Sequence, residues 1–131
     1  MAITHYPPVD EVGAERLRRA AVAWAPLLGE LLAVGFRPYL ELERGQGDDP
    51  LRLFCELDDG LLLDIALGDE GLSDEPSDED EWYWTAFVQG EDGYLAEVTI
   101  DPRVEFRKLA AKLRALVDAV AAGERPFLAE W

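Results

Sequence analysis

Few side chains in this sequence are equipped for bond-making chemistry. Its 131 residues include one cysteine and one histidine. His5 stands in the lead-in with no nucleophile or ligand set beside it, so it offers neither a general base nor a metal ligand. Cys55 alternates onto the apolar side of a predicted strand, where a thiol behaves as a small hydrophobe. Alone, it supplies no intrachain disulfide and no cysteine zinc cluster. Asp58-Asp59-Gly60 puts two carboxylates side by side, yet Asp-Asp-Gly is ordinary turn chemistry. Gly45-Gln46-Gly47 lacks the third glycine of a dinucleotide fingerprint and the lysine of a phosphate loop. Asp74-Glu75-Pro76-Ser77-Asp78 does not supply the alternating oxygen ligands, the glycine at position six and the closing glutamate of a calcium loop. No nucleophile–base constellation emerges, so no catalytic, cofactor or metal site is expected.

What the sequence has in abundance is carboxylate. Twenty-eight Asp and Glu stand against 12 Lys and Arg, a formal net charge of -16. Between Leu53 and Pro102 there is no Lys or Arg, and the 16 acids there equal the whole excess, since the other 12 balance the 12 bases. Eight of them fall between Asp69 and Glu81. Acid runs commonly form solvated, solubilising surface. This one leads into Trp82-Tyr83-Trp84, and charge beside aromatics is the makeup of a protein-binding surface. The candidate partner-binding residues are Asp74, Glu75, Asp78, Glu79, Asp80 and Glu81 in the run, with Tyr83, Phe87, Phe54 and Leu95 on one face of the strands. A surface of this sign repels nucleic-acid phosphates and anionic membranes, so neither is expected as a partner.

Positioning those residues requires a scaffold, and apolar spacing outlines it. Residues 1–9, with Pro7 and Pro8, form an irregular lead-in. Asp10 is a predicted N-cap, and Leu17, Ala20, Ala21, Trp24, Leu28 and Leu31 recur at helical spacing to about residue 34. Pro26 should kink that helix, because it clashes with the carbonyl of Val22, and Gly35 suits the left-handed position after it. Strand alternation follows over 36–43, 51–58, 61–67, 82–89 and 94–100, with Pro38 at a strand start or on an edge. Trp82 and Trp84 share the predicted core face. The opposite face collects Phe54, Leu62, Tyr83, Phe87 and Leu95 beside Glu56, Asp64 and Glu97.

The register of one hairpin follows from its pattern. A two-residue Asp59-Gly60 turn would pair Asp58 with Leu61 and Glu56 with Leu63, mixing acids into the leucine face. A three-residue loop pairs Leu57 with Leu61, Cys55 with Leu63 and Leu53 with Ile65, and puts Gly60 in the left-handed position of a type I turn with a G1 bulge. Beyond the last strand, Asp101-Pro102 reads as an N-cap and first helical residue. Phe106, Leu109, Leu113, Leu116, Val117 and Val120 then form an apolar stripe to about Ala122. Residues 69–81 are a predicted acidic loop. The tail 124–131, with Phe127, Leu128 and Trp131, is too apolar to stand in water and should dock.

The expected architecture is one α+β domain over 1–131: an N-terminal helix, about five antiparallel strands, and a C-terminal helix packed on one sheet face. No targeting segment or membrane span is read, and a cytoplasmic location with Cys55 reduced is expected. In size and charge the chain resembles the acidic immunity proteins that block basic toxins, nucleases especially. The resemblance implies a non-enzymatic toxin inhibitor whose partner presents a basic surface. A secretion-chaperone-like dimer is the alternative, although such chaperones usually place a helix where this chain has its acidic loop. A small enzyme is the third reading.

Overall fold

The computed structural model of the chain describes residues 10–44, 46–68, 71–76 and 82–131. The lead-in with His5, and Asp78, Glu79, Asp80 and Glu81 of the acidic run, lie outside the described residues. Helices α1 (Glu11–Ala23) and α2 (Ala25–Ala33) come first. Strands β1 (Arg37–Leu42), β2 (Leu51–Glu56), β3 (Leu62–Leu67), β4 (Trp84–Gly90) and β5 (Gly93–Ile100) follow, then helix α3 (Phe106–Ala121) and strand β6 (Phe127–Glu130). The strands form one sheet in the order β1-β2-β3-β4-β5-β6. All three helices pack on the same sheet face in one continuous core. In the first two, Leu17, Ala20, Leu27 and Leu31 are buried, whereas Ala21, expected on the stripe, is exposed because the helix breaks at Trp24. This is an α+β architecture.

The Asp10 carboxylate caps α1 by accepting from the Gly13 N–H at 2.6 Å. The expected kink at Pro26 is a complete break. Trp24 (φ -95°, ψ 6°) separates two helices, and Pro26 sits in the first turn of the second, where its missing N–H costs nothing. The break drives Trp24 inward. Its ring meets Trp84 edge-to-face at 6.0 Å and Phe106 at 6.1 Å, and its indole N–H donates to the Ser73 carbonyl at 2.8 Å.

The β2–β3 hairpin has the expected register, Leu53 opposite Ile65 and Cys55 opposite Leu63. Its turn differs. Gly60 is left-handed (φ 75°) as expected, but so is Asp59 (φ 62°), which is not the type I geometry. An Asp tolerates that region better than most residues, and Leu61 N–H still closes the turn onto Asp58 O at 3.3 Å. Pro38 lies in edge strand β1, where its missing donor leaves no ladder bond unmade.

Four other expectations are corrected. The sheet has six strands, because the tail docks as β6 in parallel with β5, reached through α3 as a βαβ unit. Helix α3 starts at Phe106, four residues after Pro102. Asp101 instead accepts from the Arg103 N–H at 2.8 Å and ion-pairs its guanidinium at 3.0 Å, closing a separate turn. Trp82 is not core: it is 68 % exposed, because β4 begins only at Trp84. Finally, Tyr94 and Leu95 exchange places. The ladder shifts register at Gln89, so that Gln89 faces Tyr94 while Val88 faces Ala96. The extra residue, Leu95, packs against the core, and Tyr94 turns to the outer face.

Candidate functional site

The side of the sheet opposite the helices carries a row of side chains that crosses all six strands. Pairing runs from Tyr39 to Phe54, Asp64, Phe87, Glu97 and Phe127, one residue per strand. Four aromatics and two carboxylates therefore lie in register, with each carboxylate between two rings. Tyr39 and Phe54 are 5.6 Å apart, and Phe87 and Tyr94 are 5.4 Å apart. Phe127 and Tyr94 are more than half exposed, and Phe54, Phe87 and Leu62 are half-buried. Among the described residues no helix lies on this side.

Electrostatics distinguish the row from ordinary sheet surface. Asp64 is only 3 % exposed although it faces away from the helices. Its Oδ2 accepts from Arg52 Nη2 at 2.8 Å, and the same guanidinium stands 5.6 Å from the Phe54 ring centroid. The pair is single-pronged: Asp64 Oδ1 and Arg52 Nε are enclosed without hydrogen-bond partners. Burial, then the nearby Glu41 and Glu56 carboxylates, push the Tyr39 phenol above its ordinary value.

Of the residues expected to bind a partner, Phe54 and Phe87 are brought together in this row. Leu95 is not, since the bulge turns it inward. Tyr83 is exposed at the entrance to β4, where its carbonyl accepts from the Gly68 N–H at 2.9 Å. Asp74 and Glu75 belong to a strap, 71–76, that runs from β2 to α1. Leu72 N–H bridges to Leu51 O at 2.8 Å, and Gly71 (φ 99°) passes so close that a Cβ there would fall on the Leu51 carbonyl oxygen. Asp74 then pairs with Arg16 at 2.7 Å. Its charge is already engaged, whereas Glu75 is exposed.

Tyr94, Phe127 and the Arg52–Asp64 pair were not among the expected site residues. Alternation places Arg52 and Asp64 on the outer face but cannot show their burial. Tyr94 needs the bulge, and Phe127 needs a non-local pairing.

Among the described residues the one thiol is poorly suited to covalent chemistry. Cys55 is fully buried, and burial pushes its thiol up to about 12, which keeps it protonated near neutrality. Among the described residues no group of three His, Cys, Asp or Glu could hold a metal ion, and no helix is long and apolar enough to cross a membrane. Aromatic rings interleaved with carboxylates suit a surface that is both apolar and cationic. Comparison with protein-family models, curated proteins and solved structures finds no match to this chain.

Proposed function

We propose that this chain is a non-enzymatic binding protein that captures a protein partner with a basic surface, in the manner of an immunity protein blocking a toxin. The outer sheet face is its contact surface. One observation carries this reading: the face opposite the helices holds the Tyr39–Phe54 and Phe87–Tyr94 ring pairs and Phe127 around Asp64 and Glu97. A patch of this kind is uncommon on a monomer and typical of an interface. The net charge of -16 favours a basic occupant over a second copy, whose like charge would oppose dimerisation.

The acidic surface steers encounter, and the aromatic row holds the complex once formed. The test compares the wild-type chain with Phe54→Ala/Phe87→Ala as immobilised bait in lysate of the source cell. A basic protein retained by the wild type and lost by the variant is expected, and its capture should weaken as salt rises. Equal retention on both baits, or binding indifferent to salt, would contradict the proposal.

A further inference from the structure

We propose that the outer face contains a seat for one arginine side chain of the partner, formed by the Asp64 carboxylate between the Phe54 and Phe87 rings. This inference rests on the binding function proposed above and names the chemistry that its central residue recognises.

Arginine–carboxylate pairs frequently close through two parallel hydrogen bonds. Arg52 and Asp64 make one, Nη2 to Oδ2, and leave Oδ1 and Nε enclosed and unpartnered. A buried carboxylate oxygen without a donor is costly to maintain, and this one lies beneath the outer face, where movement of the Arg52 side chain would open it to a donor from a partner. The surroundings specify that donor. Phe54 and Phe87 flank Asp64 on the neighbouring strands, and Glu97 stands next to Phe87 in the same row. Among the described residues Glu97 has no ion-pair partner.

A guanidinium stacks on aromatic faces, sheds water more readily than an ammonium and carries several N–H donors in one plane. It can therefore lie against Phe87, give one N–H to Asp64 Oδ1 and direct its remaining charge toward Glu97. Arg52 is the internal model for this contact, since it already lies against Phe54 while bonding to Asp64. Its side chain is 30 % exposed and only singly bonded, so it can move aside as the second cation enters. The seat requires no covalent step.

The test is a chemical-shift titration of the full-length 15N-labelled chain with N-acetyl-arginine amide. N-acetyl-norleucine amide controls for apolar contact and N-acetyl-lysine amide for charge alone. Saturable shifts are expected at the amides of Asp64, Phe87 and Glu97, reaching saturation in the millimolar range for arginine only. Asp64→Asn should abolish them. Arg52→Gln, which removes the resident cation, should tighten binding about fivefold, the size of one exposed charge interaction. Should Asp64→Asn fail to fold, Arg52→Gln alone decides. Unchanged or weaker binding in that variant, an equal response to lysine, or shifts confined to 71–76 and to Glu91 and Asp92, would overturn the proposal. If these fail while a basic protein is still captured through Phe54 and Phe87, only the arginine seat is removed. Loss of that capture would remove the binding function itself.

Discussion

Two neighbouring rows of the same sheet have opposite characters. One step from the aromatic row, pairing runs from Leu40 to Leu53, Ile65, Ala86, Val98 and Ala129, also across six strands. Five of these are buried aliphatic residues lying under the helices, and Ala129 packs against them. The outer row holds bulky rings, with Asp64 between Phe54 and Phe87 and Glu97 between Phe87 and Phe127, and its rings are half-buried or exposed. Side chains that serve only stability are small enough to interlock and carry no charge. Rings that tolerate water, with charge among them, are what a surface needs to stay soluble while free and to lose water when bound. On the proposed function, the inner face is built to stay closed and the outer to be covered by a partner.

The largest test of that contrast is a truncation on each side. Trp24→Ala removes a ring that joins α1, α2, β4 and α3 and should cost about 3–5 kcal/mol. Phe87→Ala, half-buried on the outer face, should cost about 1 kcal/mol. Equal shifts in denaturation midpoint for the two variants would erase the distinction between the faces. Next in size, Gly60→Val forces a β-branched residue to φ 75° and should cost about 1–2 kcal/mol. An unchanged melting temperature would remove the left-handed position at Gly60.

Cys55 provides a probe of the closed side. Burial lifts its pKa in the folded chain to about 12, above the ordinary thiol value of 9.0, so in strong alkali the unfolded chain holds fewer protons than the folded one. Stability is therefore unaffected by this group below pH 9 and falls progressively between the two values. Cys55→Val should abolish that part of the decline in melting temperature. Iodoacetamide near pH 8 should label Cys55 only when denaturant is added, and rapid labelling of the folded chain would show that the inner face opens. The smallest effect is expected at Asp74→Asn. It loosens the strap from Arg16 and should change stability by about 1 kcal/mol or less, because the Asp74 side chain is 57 % exposed.

How legible these regions are in the sequence follows the same division. Leu53, Cys55, Leu63 and Ile65 reveal the inner face and its hairpin register because a one-residue slip would bury carboxylates. The helix break is visible in Pro26, although not its completeness. The outer face is less legible because its decisive features are not periodic. The bulge that exchanges Tyr94 for Leu95 shifts the register without a marker in the alternation. The parallel docking of Phe127 depends on β5, some 30 residues earlier in the chain. Trp82 continues the alternation of Trp84 and still lies outside the strand, since the Gly68–Tyr83 hydrogen bond is where the β3–β4 ladder gives way to loop. The acidic run is obvious as composition. Its division into Asp74, tied to Arg16, and Glu75, free in solvent, depends on the tertiary fold.

The kinetics of the captured basic protein test the role of the outer face most directly. Its association and dissociation are compared on the wild type, on Phe54→Ala/Phe87→Ala, and on a variant with Glu56, Glu91 and Asp92 changed to Gln, Gln and Asn. The aromatic variant should dissociate about tenfold faster or more with little change in association, as expected when contacts formed after encounter are lost. The charge variant should associate more slowly and dissociate nearly as the wild type does. Wild-type dissociation from the aromatic variant would mean that the partner binds elsewhere, and that the outer face is not the binding surface.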